Sequence, residues 1–540
     1  MKYIGIDLGT TYSCISVYNE KNKEPEVLEF SGKYSIPSVV YFGKSGPIVG
    51  SVAKKHLYSD PARTVALAKT YLGTDKKWSI DGTDYTPTDI SAIILKKLLS
   101  IYQEQLGTEE YRCVVTCPAN YGNVEKNYIK NACTQANLNV ISFLNEPTAA
   151  AYSYYNSCSE VDENILVFDL GGGTLDVTIA SSITKTPGVK EYAVRASRGD
   201  KRLGGSNWDV EVQRELLKQC SLQSGIPEEE IRSNSKDINR IKYESEDYKI
   251  QLSSGDLDEE FTLSATAELI DFDLKQQEFE RLTEGLLKRA MIVVEDALKF
   301  ASADKTTSMP AITKESIDKV VLVGGSSRMP QIKKAIQTAF PEFQDKILLK
   351  DPDYSISKGA CLFCKTLVEN GLDSRPIIEK CPYTYGKSVF RRRADLIKQS
   401  IPLEDCEWDE KTGSYKCCKN LIYKGTPLPA TNESRSKTSK KNRHRVIIDI
   451  YQNNESKDSP TAQYSSLKNC KLCDKYTIEL PDESKDIIET ENDVITVISI
   501  DAAGVIHVKS TVAGRTGECT IKMEGSELDD SSQIDQLFGV

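Results

Sequence analysis

Apolar residues along the first two-thirds of the chain fall in short blocks, and several of these blocks end in a glycine turn. Ile4 and Ile6 lead into Asp7-Leu8-Gly9-Thr10-Thr11-Tyr12, and Cys14, Ile15 and Val17 leave it, a pattern that predicts two strands joined by a tight turn. The design repeats later. Ile165-Leu166-Val167-Phe168 precede Asp169-Leu170-Gly171-Gly172-Gly173-Thr174, and Leu175, Val177 and Ile179 alternate with Asp176 and Thr178 on the return. A third block, Val320 to Val323, ends in Gly324-Gly325-Ser326-Ser327-Arg328 before an amphipathic helix. Phe279, Leu282, Leu286, Ala290, Val293, Ala297 and Leu298 keep helical spacing and predict one long helix with a buried stripe, with Asp271 and Asp273 near its start. From about residue 383 the pattern turns to β: Tyr476, Ile478 and Leu480 alternate with Thr477 and Glu479, and two strand-like runs flank Asp501-Ala502-Ala503-Gly504.

The two Asp-Leu-Gly turns are an internal duplication, which predicts two similar subdomains whose hairpins face one polyanion. Glycine lets backbone amides approach phosphate oxygens, threonine hydroxyls add donors, and Asp7 suits the hydration shell of a divalent cation. The third turn is placed to cover a nucleoside. Glu246, Lys249, Ile250 and Ser253 lie at i, i+3, i+4 and i+7, one face of a helix that supports a ligand-facing stripe. Gly43-Lys44-Ser45 resembles the end of a P-loop but lacks the glycine five residues earlier, and is read as a surface turn.

At 540 residues the chain exceeds one core, and about three or four compact units are expected. Hydrophobic residues at 39% and charged residues at 27% are ordinary globular values, so most of the chain should fold. A net charge of -10 offers no general attraction to nucleic acid or anionic lipid. No apolar run reaches the length of a membrane span, and Met1 enters the first strand without a secretory leader; a cytoplasmic protein is expected. The three histidines, His56, His444 and His507, share no motif, which leaves catalysis to carboxylates, hydroxyls and lysine.

The turns, together with Ala68-Lys69, Val114-Val115-Thr116-Cys117-Pro118-Ala119, Asn145-Glu146-Pro147-Thr148-Ala149-Ala150-Ala151, and Gly199-Asp200 followed by Leu203-Gly204-Gly205, resemble the heat-shock protein 70 chaperones of the DnaK type. The resemblance implies an α/β fold: an actin-like ATPase domain of duplicated ribonuclease H-like halves over 1–370, a linker over 371–382, and a β-sandwich-like peptide-binding domain over 383–525, then a short polar tail over 526–540. It implies ATP or ADP with Mg2+, and extends to K+. Thr10, Thr11 and Tyr12 would hold phosphates beside Gly9, Gly171, Gly172, Gly173, Gly204 and Gly205, and Asp7, Glu146 and Asp169 would surround hydrated magnesium. Lys69 would position the attacking water and the γ-phosphate, with Glu146, Asp169, Thr174 and Asp176 assisting. By its own sequence surroundings Lys69 is an ordinary solvated helix lysine. Glu246, Lys249 and Ser253 match adenosine contacts, Ile250 replaces a base-stacking arginine, and Gly324, Gly325, Ser326, Arg328 and Asp353 complete the pocket. Weaker adenine affinity is expected from Ile250.

The family's leucine-rich linker is represented only by Ile377-Ile378-Glu379 after a boundary at Asp373-Ser374-Arg375-Pro376, and Lys126 stands for an arginine; weakened coupling is expected. Residues 404 to 473 read as a Cys-rich, polar insertion. Cys406, Cys417, Cys418, Cys470 and Cys473 admit a zinc or disulfide reading, although adjacent Cys417-Cys418 fits it poorly and ordinary thiols are favoured, as they are for Cys361 and Cys364. The basic run Arg435, Lys437, Lys440, Lys441, Arg443, Arg445 reads as a solvated loop, with RNA or ribosome contact the sharper alternative. No helical lid follows the β-pattern, so weak client retention is expected. Two functions remain: an ATP-driven chaperone of unfolded or nascent polypeptide, served by a J-domain protein and a nucleotide-exchange factor, and an atypical lidless partner that binds ATP with little turnover. A sugar kinase of the same fold leaves Glu146-Pro147-Thr148 and the β-rich tail without a role.

Overall fold

Strand Lys2–Asp7 is the centre of one six-stranded sheet and Asn164–Leu170 of another, and the two sheets repeat one plan. Each central strand pairs in parallel with one strand, Tyr111–Cys117 or Lys319–Val323, and antiparallel with the strand that leaves its turn, Tyr12–Asn19 or Leu175–Thr186. A further parallel strand lies outside each, Val140–Asn145 or Ile347–Leu349, and an antiparallel one on the far side, Glu24–Val27 or Val189–Asp200. This computed structural model describes residues 1–520 apart from 108, 158–161, 187–188, 265, 304–309, 350, 372–375, 400, 411–412, 438–444, 454–461, 481–492, 502–503 and 513. The boundary at Asp373, Ser374 and Arg375, the basic residues Lys440, Lys441 and Arg443, Ala502-Ala503 and the tail over 526–540 lie outside the described residues.

The central strands run apolar because helices cover both faces, as parallel pairing requires. Ile4 and Ile6 are fully buried, as are Ile165, Val167 and Phe168. Helices Glu146–Ser157 and Ser355–Asn370 cross where the halves meet, and Gly359 permits the crossing: a Cβ there would sit 1.8 Å from the Ala149 carbonyl oxygen. Any side chain would push the halves apart.

The long helix expected over 279–298 is two helices, Gln276–Leu282 and Glu284–Ser302. Thr283 interrupts it: fully buried, its Oγ1 lies 2.8 Å from the Phe279 carbonyl and 2.9 Å from Gln331 Oε1, two acceptors that share its one proton. Back-bonding of this kind bends a helix, and the apolar spacing carries on unchanged across it. Asp271 and Asp273 are exposed positions of strand Leu269–Leu274, not of a helix start.

The described residues of the span 404 to 473, read from sequence as an insertion, contribute strands to the framework of the β-domain. Strands Ser414–Ile422, Thr384–Arg391, Arg445–Asn453 and Cys470–Glu479 are consecutive neighbours in one sheet. Ala430–Lys437 heads the second, followed by Asp493–Ile500, Ile506–Val512 and Arg515–Thr520. Ile448, Ile450, Ile478, Ile498, Val508 and Val512 fill the core between them. The polar composition that hid these strands is buried and paired: Asn420 Nδ2 donates to the Ala462 carbonyl and to Ser465 Oγ, each at 2.8 Å, and Asn453 Nδ2 to Ser465 Oγ at 2.9 Å. Cys417, Cys418 and Cys473 are buried, Cys406 and Cys470 half-buried, and all are free thiols. Among the described residues no group of three metal-ligating side chains comes together.

Ile377–Ile378 adds a short parallel strand to the second sheet, opposite Tyr192 and Ala193. Short as it is, the segment is docked: Ile377 is 1% exposed. Beyond it, Lys380 Nζ donates to the Arg195 carbonyl at 3.0 Å and Tyr383 OH to the Asn120 carbonyl at 2.6 Å, so the β-domain touches strand Val189–Asp200 of the second sheet and the loop that follows strand Tyr111–Cys117 of the first. No helix among the described residues is long and apolar enough to cross a membrane.

Candidate active site

The two glycine hairpins face one another across a cavity of about 370 Å³. Their turns are in contact, since a Cβ on Gly172 would lie 2.3 Å from Thr11 Cγ2. Only glycine fits there. Ser13 Oγ accepts from the Gly9 amide at 3.1 Å and Ser38 Oγ donates to the Gly9 carbonyl at 2.8 Å, fixing the first turn. Gly171 N bonds to the Thr174 carbonyl at 3.1 Å, and the amides of Gly205 and Ser206 bond to the carbonyls of Gly171 and Gly172, each at 2.9 Å, fixing the second.

Acidic side chains crowd the floor. Asp169 is 5% exposed, Glu146 7% and Asp176 1%, and the cation among them is Lys69, whose Nζ meets Glu146 Oε1 at 2.5 Å. Lys69 sits in the one-turn segment Ala68–Tyr71, itself held by Tyr121 OH donating to the Lys69 carbonyl at 3.0 Å. It is 5% exposed, not the solvated lysine its sequence surroundings suggest. Burial alone would depress its ammonium, but Glu146 and Asp7 outweigh that and hold it above its ordinary value. Burial and then Glu146 push Asp7 up to about 7, although Lys69 and a 3.1 Å bond from Thr116 oppose them. Burial, Glu146 and Asp176 raise Asp169 well above the carboxylate range; burial and Glu146 push Asp176 up to about 8.

Glu246, Lys249, Ile250 and Ser253 lie on helix Ser235–Leu252 and the residue that caps it, and all four line the cavity. Arg328 and Asp353 close the other wall with an ion pair at 2.5 Å, beside Gly324, Gly325 and Ser326. Asp7, Gly9, Thr10, Thr11, Tyr12, Lys69, Glu146, Asp169, Gly171, Gly172 and Thr174 also line it. Gly173, Gly204, Gly205 and Asp176 do not; Gly173 packs against Thr10 and Thr70, Gly204 against Gly172 and Gly173 of the second turn, Gly205 against Ser326 and Lys249, and Asp176 lies beside Gly199 and Asn120.

Other residues on the wall or bonded to it carried no local signal. Asp209 binds Lys249 at 2.7 Å and so orients a wall residue. Lys54, on helix Ser51–Ser59, reaches across the cleft to Glu246 at 2.6 Å and to Tyr12 OH at 3.1 Å. A surface-helix lysine could be matched to a partner 192 residues away only by the fold.

Mirrored sheets with facing glycine hairpins and buried acids between them define an actin-like ATPase fold, built of duplicated ribonuclease H-like halves and followed here by a β-rich domain. Within that class the chain belongs to the Hsp70 family: a family model described as Hsp70 protein matches residues 3–390. The family is one of chaperones with ATPase activity that bind nucleotide and Mg2+. The residues present suit that cargo. Raised acids around a single buried ammonium lack positive charge, which a divalent cation with hard oxygen preference would supply, and the paired turns offer amides to phosphates.

Proposed function

We propose that this protein is an ATP-driven chaperone in which slow hydrolysis gates the hold of the β-domain on unfolded or nascent polypeptide, with a J-domain protein accelerating hydrolysis and an exchange factor renewing the nucleotide. The observation that carries this reading is Lys69, a fully enclosed ammonium paired to Glu146 at the mouth of both glycine turns. An enclosed charge of this kind is costly unless something uses it. Here it would face the γ-phosphate and orient the attacking water, with Thr174 holding that water from the cavity wall and Asp176 assisting from behind the wall. Phosphoryl transfer asks for placement and charge compensation more than covalent chemistry. Bound Mg2+, held through Asp7, Glu146 and Asp169, supplies neutralisation of phosphate charge. Thr10, Thr11 and Tyr12 bind and orient the phosphates from the first turn. The docked Ile377–Ile378 strand supports the gating half of the reading, because it joins the sheet that bears the second turn.

Ile250 favours a second reading, an atypical partner with little turnover: the residue lines the cavity, is 54% exposed, and offers the base no cationic face. Single-turnover hydrolysis, with and without a J-domain protein and a hydrophobic peptide, separates the two. Stimulation by both supports the chaperone. Nucleotide binding without turnover overturns it in favour of the second reading. Lys69→Ala should slow hydrolysis by about a hundredfold or more and leave nucleotide bound.

A further inference from the structure

A second cavity, of about 760 Å³, opens in the β-domain, larger than the one at the glycine turns. Its charge contrasts with the net -10 of the whole chain. Lys387 and Arg391 of strand Thr384–Arg391 and the adjoining Arg392 line it. Arg435 and Lys437 enter from strand Ala430–Lys437 of the second sheet. Lys416 and Lys475 complete the set, against two lining carboxylates, Asp395 and Asp449. Asp449 pairs through Oδ2 with Lys416 at 2.9 Å, while its Oδ1 lies 4.0 Å from Lys475 and, among the described residues, accepts no hydrogen bond.

Lys387 shows that this is more than a solvated basic face. It is 2% exposed and lies between the sheets, where its Nζ donates to Ser436 Oγ at 3.0 Å and Thr496 Oγ1 at 2.9 Å. Both partners are neutral, and among the described residues no carboxylate comes within ion-pair distance. Burial, then Lys419 and Arg391, push the ammonium down to about 7. A buried cation held by neutral hydroxyls alone is costly in the empty domain, and an incoming anion would relieve that cost.

We propose that the β-domain cavity takes an extended polypeptide segment bearing carboxylate side chains, with Lys387 as the deepest charge contact and Arg435 at the rim. The inference rests on the chaperone reading and specifies its client class. The size of the cavity suits several residues of chain better than one small anion. Strand walls suit an extended segment, whose alternate side chains point the same way. Among the described residues Phe390 is the one aromatic residue lining the cavity, so they offer no series of rings on which RNA bases could stack.

Fluorescence anisotropy with the full chain, in ATP and in ADP, tests this with three labelled probes: an acidic nonapeptide alternating Glu with Leu or Val, a neutral apolar nonapeptide, and a nine-nucleotide oligouridylate. The acidic peptide should bind at least tenfold more tightly than the other two, and more weakly as salt rises. Lys387→Met, which keeps length and removes charge, should weaken acidic-peptide binding at least tenfold while the melting temperature holds or rises. Arg435→Ser, at an exposed position, should weaken it severalfold and serves if Lys387→Met fails to fold. Preference for oligouridylate, or binding unmoved by either substitution, overturns the inference. ATP-sensitive binding of the apolar peptide alone overturns it and leaves the chaperone reading standing; failure to bind either peptide in either nucleotide overturns both.

Discussion

The backbone N–H of Asn145 donates to the carboxylate of Glu379 at 3.3 Å, a contact buried between the first sheet and the linker. Asn145 ends its strand one peptide bond before Glu146, the partner of Lys69. A movement of the linker would act one residue from the acidic floor. Glu379→Ala removes a charged acceptor worth about 1.5–3 kcal/mol. Hydrogen exchange at 377–379 should speed up at least tenfold and the hydrolysis rate should change at least threefold. Ile377→Ser, which exposes a polar group in an apolar site, should have the same two effects. Exchange and hydrolysis both unaltered would disconnect the linker from the site.

Asp176 carries a pH dependence whose sign follows from its environment. Burial and then Glu146 raise it from 3.8 to about 8. Between those values the native carboxyl keeps a proton that the unfolded chain has released, so stability falls as pH rises across that window. Nucleotide-free protein in chelator should melt lower at about pH 8 than at about pH 6, and Asp176→Asn should flatten the slope. Mg2+ and nucleotide should flatten it too, by favouring the ionised acids. Identical slopes in wild type and Asp176→Asn would show that the titration lies elsewhere.

Lys54 and Glu246 join helices Ser51–Ser59 and Ser235–Leu252 across the mouth of the nucleotide cleft at 2.6 Å, both largely shielded from water. Desolvation lowers the Lys54 ammonium, but Glu246 and Tyr12 outweigh it and lift it above the ordinary range. The pair acts as a clasp over whatever fills the cavity. Lys54→Ala should speed nucleotide release by roughly three- to tenfold, equivalent to about 1 kcal/mol of clasp, and leave the hydrolysis step of bound ATP little changed. Stopped-flow release of a fluorescent nucleotide would measure it, and an unchanged release rate would rule the clasp out.

Ile250 lines the cavity and is 54% exposed, so an arginine could enter without disturbing the core. Stacking of a guanidinium on an adenine face is worth about 0.5–2 kcal/mol. Ile250→Arg should therefore tighten ATP binding by roughly two- to thirtyfold in calorimetry. A smaller gain for GTP would tie the effect to the base. Equal or weaker ATP affinity would mean that the base does not lie over this position.

The glycine turns were legible because their chemistry is local: Gly172 has to be glycine for the approach of Thr11, and Asp7 ends its buried strand while Asp169 stands next to the end of its own. The duplication was legible for the same reason. Lys69 was legible only through family resemblance, because the one-turn segment that buries it looks like any polar stretch. The break at Thr283 was hidden because a back-bonded threonine leaves the apolar period intact on either side. Strands between 404 and 473 were hidden because period-two patterning fails where Asn420 and Asn453 are buried with their amide nitrogens paired.

The sequence alone thus determined the two-fold repeat, the phosphate turns and the acids beside them, since each depends on residues within a few positions of one another. Tertiary structure alone decided which distant groups meet: Lys54 with Glu246, the Asn145 amide with Glu379, and Lys387 enclosed between two sheets with, among the described residues, no carboxylate within ion-pair distance. Burial and opposite charge act through space, and no spacing along the chain encodes a distance across a cleft.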